Sequence, residues 1–417
     1  MNIAAGILAC ISLLMSALLF VRIKAPAGFL IWFPKLAAGT LSPLWAVAGL
    51  LGAVLGLFGQ APLATVAGGV GMGCMVWYIW SVTKPHPGFE QAFGADWKQC
   101  IPRQREAHLL KRRWMGLLLE QGNPAPCFKQ NISFATIPGT RRELLCDLWQ
   151  PPVGTAPSGL AVIYFHGSAW YMLDKDFGTR PFFRHLAGQG HIVMDVAYRL
   201  CPEVDITGMI GDIKRAVAWM KENSPKFGVN PERIILAGGS AGGHLSMLAG
   251  YAPNHPALTP EELRLVDLTV RGIVSYYGPS DLNAVYNHTN QQRLVGLPKV
   301  PTGPAFQGEK NARDAGRLDI LLGGHPFEAM DMYDLASPVT HVHPGCPPTL
   351  LIQGEQDLIT PVGAARSLHK KLVDAGVPAI NVVFPCTDHG FDLLLPPLSP
   401  AYQSALFDVD RFLALLA

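Results

Sequence analysis

Two stretches of the chain carry no charged side chain: residues 1–21 and residues 36–83. The second is 48 positions long, room for two bilayer crossings of roughly 20 residues each. Gly59-Gln60-Ala61-Pro62 is the natural turn between them. The pattern therefore predicts three transmembrane helices near 3–21, 37–58 and 62–83. Trp77, Tyr78 and Trp80 fall at the end of the third, where interfacial aromatics collect. The first segment has neither a basic n-region nor a clean small-x-small cleavage site, so it reads as a span rather than a signal peptide. If it were cleaved, two spans would remain.

Beyond residue 130 the pattern changes to short apolar runs alternating with amphipathic stretches. Strands are expected near 131–136, 144–149, 160–165, 191–196, 233–238, 270–276, 348–353 and 379–384. Helices are expected near 173–189, 206–223, 241–252, 361–375 and 400–416. Such alternation implies a mostly parallel sheet with helices on both faces. The interval 283–335 breaks the rhythm with Pro298, Pro301 and Pro304 and reads as an insertion forming part of a cap. Residues 85–129 link the membrane part to this domain. Within them Glu106 to Glu120 has helical periodicity, suited to a cap helix or to a helix lying on the membrane surface. On this division a chain lacking residues 1–84 should fold and act by itself.

Charge refines the picture. The 33 basic and 31 acidic residues among 417 leave no nucleic-acid footprint. Only Arg22, Lys24, Lys35 and Lys84 precede residue 85, and no Asp or Glu does. Arg22, Lys24 and Lys35 share the first loop. Lys98, Arg103, Arg105, Lys111, Arg112 and Arg113 follow the third span. The positive-inside rule then places the first loop and the large domain in the cytoplasm. Eight cysteines without C-x-x-C spacing fit free thiols in a reducing compartment.

The chemistry is concentrated at strand ends. Gly238-Gly239-Ser240-Ala241-Gly242 follows the apolar run 234–237 and opens a helix-forming stretch. It fits the G-x-S-x-G elbow, which exposes a serine hydroxyl on a strand-to-helix turn. Alone, the same five residues are also compatible with an ordinary small-residue turn. His166-Gly167-Ser168-Ala169-Trp170 follows the run 160–165, and Asp357 and His389 follow the last two strands. A hydroxyl is a weak nucleophile until a base takes its proton. Among thirteen histidines, His389 is the expected base and Asp357 the acid that orients it, with Glu355 and Asp388 as competitors. The main-chain N–H groups of Ser168, Ala169 and Ala241 are the expected holders of an oxyanion. His166 and Gly167 would brace that loop, Trp170 would be a pocket wall or core aromatic, and His244 a packed helix residue. His341 and His343 lack further ligands at metal spacing, so neither a metal nor a cofactor is expected.

Together these motifs resemble the hormone-sensitive-lipase-like branch of the α/β-hydrolase superfamily, the acetyl esterase and carboxylesterase group. Asp195-Val-Ala-Tyr-Arg-Leu-Cys-Pro-Glu203 is similar to its D-Y-R-L-A-P-E segment, and Tyr277-Gly-Pro-Ser-Asp-Leu282 to the segment after its sixth strand. Two departures stand out. Ser168 and Ala169 replace the usual glycines of the oxyanion loop, and Gly239 stands where the branch commonly has Asp. Over residues 130–417 the resemblance implies an α/β-hydrolase fold with an eight-stranded sheet. It implies a serine carboxylesterase acting on short- to medium-chain esters of small, lipophilic molecules, and the charge-free segments before it would tether it to a lipid bilayer. An amide or formamide hydrolase or a deacetylase using the same triad is the alternative, and an inactive membrane scaffold the non-enzymatic one.

Overall fold

Eight strands form one sheet in the order β1-β2-β4-β3-β5-β6-β7-β8 in a computed structural model that describes residues 2–24, 28–116, 125–167, 169–290 and 317–417. They are β1 (Cys127–Thr136), β2 (Glu143–Gln150), β3 (Ala161–Phe165), β4 (Ile192–Val196), β5 (Ile234–Gly239), β6 (Gly272–Tyr276), β7 (Thr349–Gly354) and β8 (Ala379–Phe384). β2 runs antiparallel to β1 and to β4, and the rest of the sheet is parallel. This is the α/β-hydrolase fold. Every residue of β3, β4, β5, β6 and β7 is buried. Helices on both faces explain why these strands read as unbroken apolar runs rather than as alternating ones. On one face lie the helices Ile206–Phe227 and Ala241–Tyr251; Arg180–Gly188 and the C-terminal Pro400–Leu416 pack on the other.

Three expected elements differ. The helix expected from residue 173 starts only at Arg180. Leu173, Asp176 and Gly178 have positive φ, which a right-handed helix cannot contain, and the Asp176 N–H donates to buried Asp195 Oδ2 at 2.6 Å. The helix expected over Glu106 to Glu120 is absent from its described part: a single turn, Arg103–Glu106, ends where it should begin, and residues 117–120 lie outside the described residues. Tertiary partners capture the main chain instead. Leu110 N–H donates to Asp410 Oδ2, Met115 N–H to Gln403 Oε1, and Arg411 donates to the Leu110 carbonyl. With these main-chain groups satisfied by the C-terminal helix, the irregular path needs no helical ladder. Of the insertion 283–335, helices Leu282–Asn290, Leu318–Leu321 and Met330–Ala336 are seen at its two ends; residues 291–316 lie outside the described residues.

The third difference lies in the N-terminal part, which is built from α1 (Asn2–Phe20), α2 (Phe29–Thr40), α3 (Ser42–Phe58) and α4 (Pro62–Thr83). Where one helix over 37–58 was expected, α2 and α3 meet at a 75° bend. Pro43 occupies the first turn of α3, where it is tolerated, but it cannot continue a helix from α2. α1, α3 and α4 form a bundle that small residues bring close: a Cβ on Gly49 would lie 2.8 Å from the Gly68 carbonyl oxygen. Leu14, Val47, Leu57, Phe58, Leu63 and Val66 face outward, an apolar belt of the kind that marks a membrane or partner surface. Among the described residues, α1 and the run from Pro62 to Phe93 are long and apolar enough to cross a membrane, and the bent pair α2–α3 could make a third crossing.

At the other end of the bundle Leu19, Met75, Tyr78 and Val82 join the same apolar cluster as Phe384, Ala401 and Phe412 of the sheet and C-terminal helix. Lys35 also departs from expectation. It is not a loop cation but a member of α2, 2% exposed.

Candidate active site

The strand β5 delivers Ser240 to a backbone conformation of φ 52°, ψ −120°, which a Cβ-bearing residue adopts only under strain. What holds it is close packing. A Cβ on Gly242 would meet the Phe165 carbonyl oxygen at 1.9 Å, so only glycine lets the following helix approach β3 this tightly. Ser240 N–H donates to the Tyr276 carbonyl at 2.9 Å, and the Ser240 carbonyl accepts from His244 N–H at 3.0 Å. The hydroxyl is thereby raised above the carboxyl ends of the parallel strands, where ligands bind in such sheets.

From the loop after β8, His389 Nε2 reaches Ser240 Oγ at 3.0 Å, and Nδ1 lies 2.9 Å from Asp357 Oδ2. All three residues, distant in sequence, meet at one point. The Asp357 carboxylate is fully engaged. Oδ1 accepts the main-chain N–H groups of Ile359 and Thr360; Oδ2 also accepts from the Gln353 amide and the Thr360 hydroxyl. Those contacts fix which oxygen faces the imidazole. Asp388 points elsewhere, toward Lys35 Nζ at 3.0 Å. Burial pushes its carboxyl up, while the Lys35 charge works against that rise.

The loop expected to hold an oxyanion departs from glycine at a visible cost. Ala169 and Trp170 take φ of 49° and 66°, the left-handed region that favours glycine. Gly167 is the close-approach position: a Cβ there would meet the Gly239 carbonyl oxygen at 2.8 Å. Ser168 lies outside the described residues. Ala241 opens the helix after Ser240, so its N–H is one of the free donors at a positive dipole end. His166 is buried with its ring stacked on Tyr198 at 4.5 Å, and Tyr198 OH donates to its carbonyl. Burial lowers the His166 pKa to about 4, which keeps the ring neutral.

Several supporting residues carried no sequence signal. His244 Nδ1 accepts the Trp170 indole N–H at 3.1 Å, and its Nε2 donates to the Ala336 carbonyl at 2.7 Å. It thus ties the loop at Trp170 to the helix Met330–Ala336, and burial lowers its pKa to about 4. A histidine one turn into a helix looks like packing until its two partners are seen. The Tyr171 hydroxyl likewise donates to the Arg317 carbonyl. Tyr277 lies over the His389 ring at 4.5 Å and donates its hydroxyl to Asp392. It also crowds Gly239, where a Cβ would lie 3.1 Å from the Tyr277 oxygen. His341 and His343 are turned to the carbonyls of Leu335 and Tyr251.

A nucleophile, a base within hydrogen-bond reach and an oriented acid, set beside main-chain donors, are the parts needed for acyl transfer. Comparison with known proteins points the same way. The model of the BD-FAE family matches residues 146–372. Esterase LipQ of Mycobacterium tuberculosis is 29% identical over 331 residues, spanning 78% of this chain and 72% of that protein. The probable carboxylic ester hydrolase LipM of the same organism is 34% identical over 256 residues, or 60% of this chain; the match spans only 53% of LipM. Among solved structures, the butyrate-bound thermophilic esterase Est2 of Thermogutta terrifontis aligns over 70% of this chain and 94% of its own, with a TM-score of 0.52 and 23% identity. A likeness at that identity speaks for the fold alone.

Proposed function

The chain belongs to the BD-FAE family of α/β hydrolases and is a carboxylic ester hydrolase; on that premise we propose a membrane-anchored serine carboxylesterase whose triad is Ser240, His389 and Asp357. The relay from Ser240 Oγ through His389 to Asp357, at 3.0 and 2.9 Å, carries this reading.

In the proposed reaction the Ser240 oxygen attacks the ester carbonyl carbon while His389 Nε2 takes the hydroxyl proton. Asp357 keeps Nδ1 protonated and balances the imidazolium charge. The oxyanion formed on the substrate accepts hydrogen bonds from the main-chain N–H groups of Ala169 and Ala241, with Ser168 a third candidate donor. Collapse expels the alcohol, which takes its proton from His389. Water, deprotonated by His389, then attacks the acyl-serine carbonyl, and collapse releases the acid as Ser240 Oγ takes that proton back from His389. The parts present need no metal or cofactor for this sequence of steps.

The substrate class is proposed to be small lipophilic esters with short to medium acyl chains, since the domain sits against an apolar bundle suited to a bilayer. The domain is proposed to face the cytoplasm. Arg22 and Lys24 after α1 and the basic residues after α4 support that side; Lys35, being buried, does not count toward it. Hydrolysis of a series of p-nitrophenyl esters from acetate to palmitate tests the class. The highest kcat/KM is expected between two and eight carbons, and a maximum at palmitate would contradict it.

A further inference from the structure

Lys35 is one of four cations in the first 84 residues, and the only one of them that is buried. A charge inside an apolar segment persists only when it is paired and hydrogen-bonded. The ammonium donates to Gln356 Oε1 at 2.7 Å and to the Val21 carbonyl at 2.7 Å, and it forms an ion pair with Asp388 Oδ2 at 3.0 Å. Gln356 immediately precedes Asp357, and Asp388 immediately precedes His389. The other oxygen of Asp388 accepts the main-chain N–H groups of Leu358 at 3.0 Å and His389 at 2.8 Å. Less than one turn earlier on α2, the Trp32 indole N–H donates to the His389 carbonyl at 2.9 Å. Ile23, Phe29 and Trp32 pack against Leu358 and Ile359, on the turn that follows the acid.

The loop that presents His389 is also held from the sheet side, by the Gln356 N–H on the Thr387 carbonyl at 2.9 Å and by the Tyr277 hydroxyl on Asp392, but its other flank rests on α2. It leaves β8 through Cys386 at φ 53° and passes Gly390 at φ 74°, with no regular element until the short turn Pro396–Leu398. We propose that Lys35 and Trp32 are positioning residues that hold His389 and Asp357 in register with Ser240, so that the N-terminal segment completes the active site. This rests on the triad reading above. It also replaces the expectation that residues 1–84 are a dispensable tether, since their removal would take both contacts away. Misplacing a catalytic group by about 1 Å is enough to cost on the order of 100-fold in rate.

The test uses the full-length chain in detergent micelles with p-nitrophenyl butyrate, each kcat normalised to active sites titrated with a fluorophosphonate. Lys35→Met is expected to lower kcat by about 10- to 100-fold while KM stays within about twofold, the signature of lost transition-state geometry. Trp32→Phe, which keeps an aromatic ring and removes the N–H, is expected to lose about 3- to 10-fold. Adding Asp388→Asn to Lys35→Met removes the stranded charge without restoring the tie to α2, so kcat should stay at least about 10-fold below wild type; a return to the wild-type value would overturn the positioning role of Lys35. A purely structural contact would lower the folded yield and leave kcat per titrated site unchanged, and that result overturns the proposal. Should Lys35→Met fail to fold, Trp32→Phe decides: a wild-type kcat overturns the proposal and a reduced one supports it. Ser240→Ala separates the two readings. If it still labels, the triad reading falls; if it is inert while Lys35→Met and Trp32→Phe turn over like wild type, only the positioning role falls.

Discussion

Asp388 adjoins His389 in the chain, yet its carboxylate accepts the histidine's own main-chain N–H at 2.8 Å and leaves the imidazole to Asp357. The geometry ranks the two acids. Asp357→Asn should lower kcat by roughly 10⁴, because the imidazole loses the charge that fixes its tautomer. Asp388→Asn should cost no more than about 100-fold, since it disturbs only the support of the loop. Steady-state kinetics on both variants checks this, and the opposite order would reassign the acid.

The strained loop proposed to hold the oxyanion gives a second expectation. Ala169 sits at φ 49°, a conformation that glycine adopts without penalty. Ala169→Gly should keep kcat within about threefold and leave Tm unchanged or higher, as relief of strain offsets the added freedom of the unfolded chain. Ala169→Pro deletes the donor N–H, and its fixed φ conflicts with the loop, so kcat should fall by at least about 10²-fold. An active Ala169→Pro enzyme would remove Ala169 from the oxyanion hole.

Much of this was readable in the sequence, for identifiable reasons. Parallel strands buried on both faces, such as β3 and β5, appear as apolar runs whatever surrounds them, and Ser240, Asp357 and His389 follow within a few residues of the ends of β5, β7 and β8. Ser240 had its glycines as well. Residues whose role depends on distant partners left no such trace. Arg113 pairs with Asp408, and Leu110 with Asp410, almost three hundred positions away; that pairing undid a helix which local periodicity supported. Lys35 read as a loop charge because its partners, Gln356 and Asp388, come from the other end of the chain. His244 was likewise indistinguishable from a packing residue without Trp170 and Ala336 beside it.

His191 offers a test of the fold's pH dependence. It is buried beside Ser158, its Nδ1 2.8 Å from the hydroxyl, and burial, reinforced by Arg105, lowers its pKa from 6.5 to about 3. Below pH 6.5 the unfolded chain binds a proton here that the native state refuses, so stability falls as the pH drops from 6.5 toward 3. This one group contributes a slope of about 1.4 kcal/mol per pH unit. In His191→Gln that contribution disappears. Urea unfolding at pH 7 and pH 5 should therefore show a smaller stability loss in the variant, by about 2 kcal/mol. Equal losses in the two proteins would contradict a neutral buried imidazole.

The orientation is open to direct measurement in cells. If the domain faces the cytoplasm, as proposed from the basic flanks of α1 and α4, a carboxyl-terminal fusion to green fluorescent protein should fluoresce and a fusion to alkaline phosphatase should be inactive. An active phosphatase fusion would reverse the topology while leaving the active site as described.

The central claim is that Ser240 is the nucleophile, and covalent labelling tests it most directly. After treatment of the full-length protein with a fluorophosphonate and proteolysis, mass spectrometry should find a single phosphonyl adduct on Ser240. Ser240→Ala should take up no label and lose turnover by several orders of magnitude. An adduct on another serine, or labelling that persists in Ser240→Ala, would contradict the account.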